Sequence, residues 1–273
     1  MSYLDAVKTG REKVPRRTLI YGAHGVGKTT WAAGWPNPVL IPTEDGYHHI
    51  DVPHGPLIKT VAGLQQAIKD VTESDFDTVI LDSIDWAEKL IVEELDASNF
   101  DQSWGKGAVE IGHRFDTVIL DSIDWAEKLI VEELDASNFD QSWGKGAVEI
   151  GHRISKLLLL LNGCRDAGKH VVLVGHQHIA KIVRTDGKEY GSHTVNLTKH
   201  AARVVCEWAD EVLFAETDII VKTSESKFGG IAVDKGTRSL HTSSSPLFDA
   251  KNRIVGLPER FELSEVSSYL EFV

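Results

Sequence analysis

Apolar residues along this chain are concentrated in short, uninterrupted runs. The clearest are Arg17–Tyr21 (RTLIY), Pro38–Thr43 (PVLIPT), Thr78–Leu81 (TVIL) and His170–Val174 (HVVLV). Runs of this length, bounded by glycine, proline or acid, predict strands buried on both faces. Leu57–Thr60 reads as a further short strand. Helical periodicity covers Lys28–Ala33, Leu64–Val71, Ile84–Leu95 and Ala108–Arg114, and a longer helix ends in Ile154–Arg165. Its apolar segment, Leu157–Leu161, is far too short to span a bilayer. Strands alternating with helices predict an α/β fold: a mainly parallel sheet with helices on both faces. After Gly175 the texture changes. Glu211–Phe214, Ile219–Thr223, Gly230–Val233 and Ser239–Thr242 predict short antiparallel strands that extend the sheet. The expected organisation is one domain over residues 1–273.

One feature interrupts the alternation. The 39-residue segment FDTVILDSIDWAEKLIVEELDASNFDQSWGKGAVEIGHR occurs twice without a difference, over residues 76–114 and 115–153. Two copies make a poor solenoid, which needs more units and atypical caps. The simpler reading is a duplication inside an older domain, with one copy acting as an insertion. Three solutions exist: the core is built from the first copy, from the second, or from the strand of the first and the last helix of the second. The third is favoured, with an extruded stretch of about 39 residues between them.

The duplication also changes how charge is read. The net charge is −12. Each copy contributes −6, so half the acidity comes from the extra unit and says nothing about partners. The balance excludes a surface uniformly coated for nucleic acid but leaves room for a local basic groove. Two cysteines, Cys164 and Cys206, lie far apart without metal-like spacing, which fits a reducing cytoplasm. The N-terminal segment has no apolar core of the signal-peptide kind.

The first apolar run feeds a stretch with specific chemistry. Gly22-Ala-His-Gly25-Val26-Gly27-Lys28-Thr29-Thr30 matches G-x-x-x-x-G-K-[ST] between a predicted strand and a predicted helix. Glycines let backbone N–H groups turn toward phosphate oxygens, and a helix N-terminus adds partial positive charge. Lys28 is placed to neutralise β- and γ-phosphates, and Thr29 to ligate Mg²⁺. The ligand expected is a nucleoside triphosphate, ATP with Mg²⁺. Such a site needs an acid at the end of a neighbouring strand. TVILD supplies Asp82 in the first copy and Asp121 in the second, and the sheet has one slot for them. Asp82 is the preferred metal-side acid; the plainer reading of both is a helix N-cap. Glu44, after PVLIPT, is favoured over Asp45 as the base that orients water. After HVVLV, His176 and Gln177 alternate sides, so one of them can face the nucleotide and sense its γ-phosphate. His176-x-His178 also admits a metal-pair reading, without an evident third ligand.

Taken together, GAHGVGKTT, PTEDG, TVILDS, VLVGHQ and SLHTSSSPLFDAKNRIVGLP resemble RecA-like ATPases. More narrowly, they resemble phage-encoded AAA-type ATP-binding proteins related to single-strand annealing recombinases. The resemblance covers most of Arg17–Leu263. The departure is the second TVILDS strand. It implies a RecA-like core, ATP hydrolysis, self-assembly along single-stranded DNA, a contact with a phage or host single-strand-binding protein, and a place in the host cytoplasm. It also implies basic residues reaching a neighbour's γ-phosphate, for which Lys251 and Arg253 are the candidates. DNA contact is expected from the loop after VLVGHQ, where Lys181, Arg184, Lys188 and Lys199 make the most basic stretch. The plainer reading of that stretch is a solvated hairpin turning at Asp186-Gly187. The alternatives to a DNA-dependent ATPase are a small-molecule nucleotide kinase and a nucleotide-gated binding protein with little hydrolysis.

Overall fold

The computed structural model describes residues 7–8, 14–103, 143–183, 187–222 and 231–273. Five parallel strands form its centre: β1 (Arg17–Gly22), β2 (Pro38–Pro42), β3 (Thr78–Asp82), β4 (His170–Val183) and β6 (Glu211–Lys222). Antiparallel strands β7 (Ile231–His241) and β8 (Arg260–Glu262) extend one side, giving the order β2-β3-β4-β1-β6-β7-β8. A further strand, β5 (Glu189–Val195), pairs antiparallel with the far half of β4.

The apolar runs are continuous because both sheet faces are covered. Within each strand, alternate residues enter different cores. Leu19, Tyr21, Val79, Leu81, Val171, Leu173, Val212 and Phe214 face one side. There they meet α2 (Val61–Thr72), α3 (Ile84–Ser103), α4 (Trp143–Asp166) and α5 (Lys199–Trp208). Ile20, Ile80, Val172, Val174 and Leu213 face the other side. That core is closed by α1 (Lys28–Ala33) and α6 (Val266–Leu270), through edge contacts of Tyr269 with Trp31 and of Trp31 with Trp35. The expected α/β architecture, with a parallel core and an antiparallel extension, is present.

The described core draws on both repeat copies. β3 and α3 come from the first copy, and α4 begins within the second. Ala87 and Ile91 of α3 share a core with Ile154, Leu157 and Leu158 of α4, and Arg153 reaches Glu94 at 3.0 Å. Residues 104–142 lie outside the described residues, and with them Asp121, the helix expected at Ala108–Arg114 and the second TVIL.

Two expectations need correction. Leu57–Thr60 is not a strand; Ile58 donates its N–H to Pro42 O and Thr60 caps α2 through Gly63 N. The short strands expected after residue 211 are two long ones. Glu211–Phe214 and Ile219–Thr223 merge into β6, and Gly230–Val233 and Ser239–Thr242 merge into β7; Thr223 and Gly230 lie outside the described residues, and Thr242 follows the end of β7. The merged strands project beyond the core with Ile219 and Ile220 exposed, so the apolar pattern that marks buried strands is absent there.

Candidate functional site

The phosphate-binding segment leaves β1 at Gly22. A Cβ at this position would lie 2.1 Å from the Ala215 carbonyl oxygen, so only glycine permits β1 and β6 to approach here. Gly27 starts α1 with φ at +105°, a region that glycine enters without steric cost. Between them the loop closes, with Lys28 Nζ donating to Gly22 O at 3.2 Å and Ala23 O at 2.9 Å. Gly25, Gly27, Lys28, Thr29 and Thr30 line one pocket. Val26 is buried beneath it, and its carbonyl accepts from Arg238 at 3.2 Å.

Parallel register brings the acids to the same edge. Pro42 pairs with Asp82, and Asp82 with Val174, so β2, β3 and β4 end side by side. Thr43 N donates to Asp82 O at 2.7 Å, fixing the turn that presents Glu44. The Thr29 hydroxyl donates to Asp82 Oδ2 at 2.7 Å. Asp82 Oδ1 is buried with no hydrogen-bond partner. Ser83 Oγ lies 3.4 Å from Glu44 Oε2. Glu44 faces the pocket, whereas Asp45 is largely exposed beside His48.

His176 resolves the alternation at the end of the VLVG segment. Its side chain lines the pocket, whereas Gln177 is half-buried on the hairpin and does not. Asp85, in the first turn of α3, holds His176 twice: Oδ2 lies 2.8 Å from Nδ1, and Oδ1 accepts the backbone N–H at 3.2 Å. His176 Nε2 lies 3.8 Å from Glu44 Oε1, and the ring stacks on His24 with centroids 3.8 Å apart. One turn along α3, Glu88 accepts from both the N–H and the hydroxyl of Thr198, at the start of α5. One helix therefore holds β4 where the hairpin leaves it and the segment where the hairpin returns.

The electrostatics of this edge favour an added cation. Burial pushes the Asp82 carboxyl up, against the pull of the Thr29 hydroxyl and Lys28. Burial, then the Asp82 charge, pushes Glu44 up as well. Burial lowers Lys28, although Asp82, Glu44 and Asp85 oppose this. Burial would raise Asp85 too, but the hydrogen bond and charge of His176, joined by hydrogen bonds from Ser83 and the backbone, together outweigh it and hold Asp85 below the usual carboxylate range. Three carboxylates thus crowd one lysine in a poorly solvated corner. The orphaned Asp82 Oδ1 beside a threonine hydroxyl suits a hard, oxygen-seeking ion such as Mg²⁺. Among the described residues no cluster of three or more His, Cys, Asp or Glu could hold a metal unaided, and His178 is exposed, so the His-x-His pair gains no third ligand.

Other candidates sit elsewhere. Arg253 pairs with Asp210 at 3.1 Å, and Lys251 exchanges backbone hydrogen bonds with Val212. Both lie at the start of β6, the sheet edge opposite Lys28. The basic stretch forms the β4–β5 hairpin rather than an open loop. Lys181 pairs with Glu189 at 2.6 Å, Lys188 lies beside β5, and Lys199 is exposed at the start of α5. Arg184 lies outside the described residues. Three site residues escaped sequence reasoning: His24, Asp85 and Arg238. Asp85 stands three residues beyond Asp82 in the first turn of α3, where an acid is common without any partner. Arg238 carried no local signal, because its partner Val26 is 212 residues away.

A family model described as AAA domain matches the chain over residues 14–110 and again over 106–254. The matches meet inside the duplicated span. No curated protein matches the chain. Among the described residues no helix is long and apolar enough to cross a membrane.

Proposed function

The chain belongs to the AAA domain family, whose members are nucleotide-binding ATPases, and on that premise we propose that it is a Mg²⁺-dependent ATPase stimulated by single-stranded DNA. The observation that carries the ATPase reading is the Thr29–Asp82 contact, with Glu44 and His176 on the same pocket. Loop N–H groups and Lys28 bind the β- and γ-phosphates. Thr29 and Asp82 would hold Mg²⁺, which would supply neutralisation of the phosphate charge. Glu44 accepts a proton from the attacking water, with the Ser83 hydroxyl steadying the other carboxylate oxygen. His176, oriented by Asp85, stands beside Glu44 at the root of the β4–β5 hairpin.

The DNA reading rests on that hairpin. It carries Lys181 and Lys188 and is rooted in a residue of the nucleotide pocket, so occupancy of one can bias the other. In this reading the protein assembles with itself along single-stranded DNA during phage recombination or annealing, in the host cytoplasm and beside a single-strand-binding protein. Phosphate release by the wild type and Lys28→Ala, with and without a poly-dT oligonucleotide, tests it. Lys28-dependent hydrolysis that rises severalfold with the oligonucleotide is expected. Hydrolysis indifferent to DNA would remove the DNA role, and no hydrolysis would remove the ATPase.

A further inference from the structure

The phosphate pocket has a neighbour. A cleft of about 700 Å³ opens between the first turns of α3 and the segment where the β4–β5 hairpin returns, and it shares His24 and His176 with that pocket. Trp86 and Val92 of α3 form one wall, and Asn196 and Leu197 the other. Trp86 is the unusual member. It is 39 % exposed, and among the described residues Phe272 alone matches it as a large aromatic ring left open to solvent. Phe272 rests edge-on against Phe261. The Trp86 ring meets no other ring among the described residues; the Lys89 ammonium lies over it, 4.6 Å from the centroid.

The acids that face the cleft are already committed. Asp85 holds His176, and Glu88 accepts from the N–H and the hydroxyl of Thr198. The Asn196 backbone N–H donates to His176 O, while its carboxamide makes no hydrogen bond among the described residues. A ligand therefore meets an indole, a lysine charge beside it, and an amide that can both donate and accept.

We propose that this cleft takes one nucleobase of single-stranded DNA, stacked on Trp86 with its edge toward Asn196. The inference rests on the reading above that the protein binds single-stranded DNA, and it places the base contact on α3 rather than on the hairpin. Stacking on an aromatic ring tolerates any sequence, because every base has a π-face. The phosphates on either side of the base have cations to meet: Lys89 beside the ring, exposed Lys199 directly after Thr198, and Lys181 and Lys188 along the hairpin. Because the cleft and the phosphate pocket share His176, a base seated here touches the residue that stands beside Glu44.

Fluorescence anisotropy with a labelled dT oligonucleotide and an abasic one of the same length separates this inference from the reading beneath it, since the two differ only in their bases. The wild type is expected to bind both and to prefer dT by about fivefold or more. Trp86→Leu keeps an apolar side chain without a flat ring and is expected to bind both alike, whereas Trp86→Phe restores a preference. Trp125→Leu, the same change in the identical second copy, is expected to keep the wild-type preference. A wild type that binds the two equally, a Trp86→Leu that still prefers dT, or a Trp125→Leu that loses the preference overturns the stacking assignment alone. A wild type that binds neither overturns the DNA reading and the inference with it. Should Trp86→Leu lose both oligonucleotides, Trp86→Phe decides: a retained preference for dT supports the stack, and its loss overturns it.

Discussion

The Thr29 hydroxyl meets the Asp82 carboxylate at 2.7 Å across 53 residues of sequence, and an identical copy of that aspartate's neighbourhood lies further on as Asp121. The two aspartates are therefore separable by mutation. Asp82→Asn is expected to lower the ATPase rate roughly a hundredfold, the scale of losing a metal-side charge. Asp121→Asn is expected to stay within about twofold of wild type. Steady-state phosphate release checks both. Loss confined to Asp121→Asn would move the metal site to the second copy.

Glu44→Gln keeps the shape of the carboxylate and removes its basicity. Hydrolysis is expected to fall by roughly 10²–10⁴ while ATP affinity holds. The pH profile carries a second mark. Glu44 must be deprotonated to accept a proton, and burial with the Asp82 charge raises its pKa. The acid limb of the rate therefore lies above the ordinary carboxylate range, and activity falls as pH drops through it. A flat profile down to the range of a free glutamate would contradict the assignment.

Glu211 offers a stability test away from the site. It is fully buried, accepts from the Thr18 hydroxyl at 3.1 Å, and lies 3.5 Å from Arg16. Burial pushes its carboxyl from 4.5 up to about 7. The folded state then holds this proton more tightly than the unfolded chain. Its stabilisation is complete below about pH 4.5 and is lost as pH rises through about 7. The change is roughly 2–4 kcal/mol over that window. Glu211→Gln removes the titration, so the wild-type Tm should decline relative to the variant between those limits. A Tm difference independent of pH would refute this.

Gly22→Ala would place a methyl group 2.1 Å from Ala215 O. Relief requires β1 and β6 to part at the centre of the sheet, at a cost of about 3 kcal/mol or more. Chemical denaturation should show the midpoint shifting well below wild type. Gly25→Ala, where nothing lies within 4 Å but φ is +71°, should cost less.

The strands of the centre were legible because Leu19–Tyr21, Val79–Leu81 and Val171–Val174 are apolar on both faces, and a sheet covered twice leaves that signature. The phosphate loop was legible because its chemistry is local to nine residues. Leu57–Thr60 misled because an apolar segment that packs against β2 without pairing as a strand looks the same in sequence. The supports of the site were hidden for another reason. Asp85 matters through His176 and Arg238 through Val26, and neither pairing leaves a mark in the intervening chain. Lys251 and Arg253 are candidates through the resemblance, and the charge on Arg253 is already answered by Asp210.

The duplication has a last consequence. Because its halves are identical, removing any 39 consecutive residues that start between 76 and 115 leaves the same polypeptide. The letters alone assign no boundary to the extra unit; forty cuts are equivalent. The fold breaks this degeneracy. α3 runs to Ser103, and α4 starts at Trp143, the second copy's counterpart of Trp104. Of forty indistinguishable cuts, one leaves every described element whole.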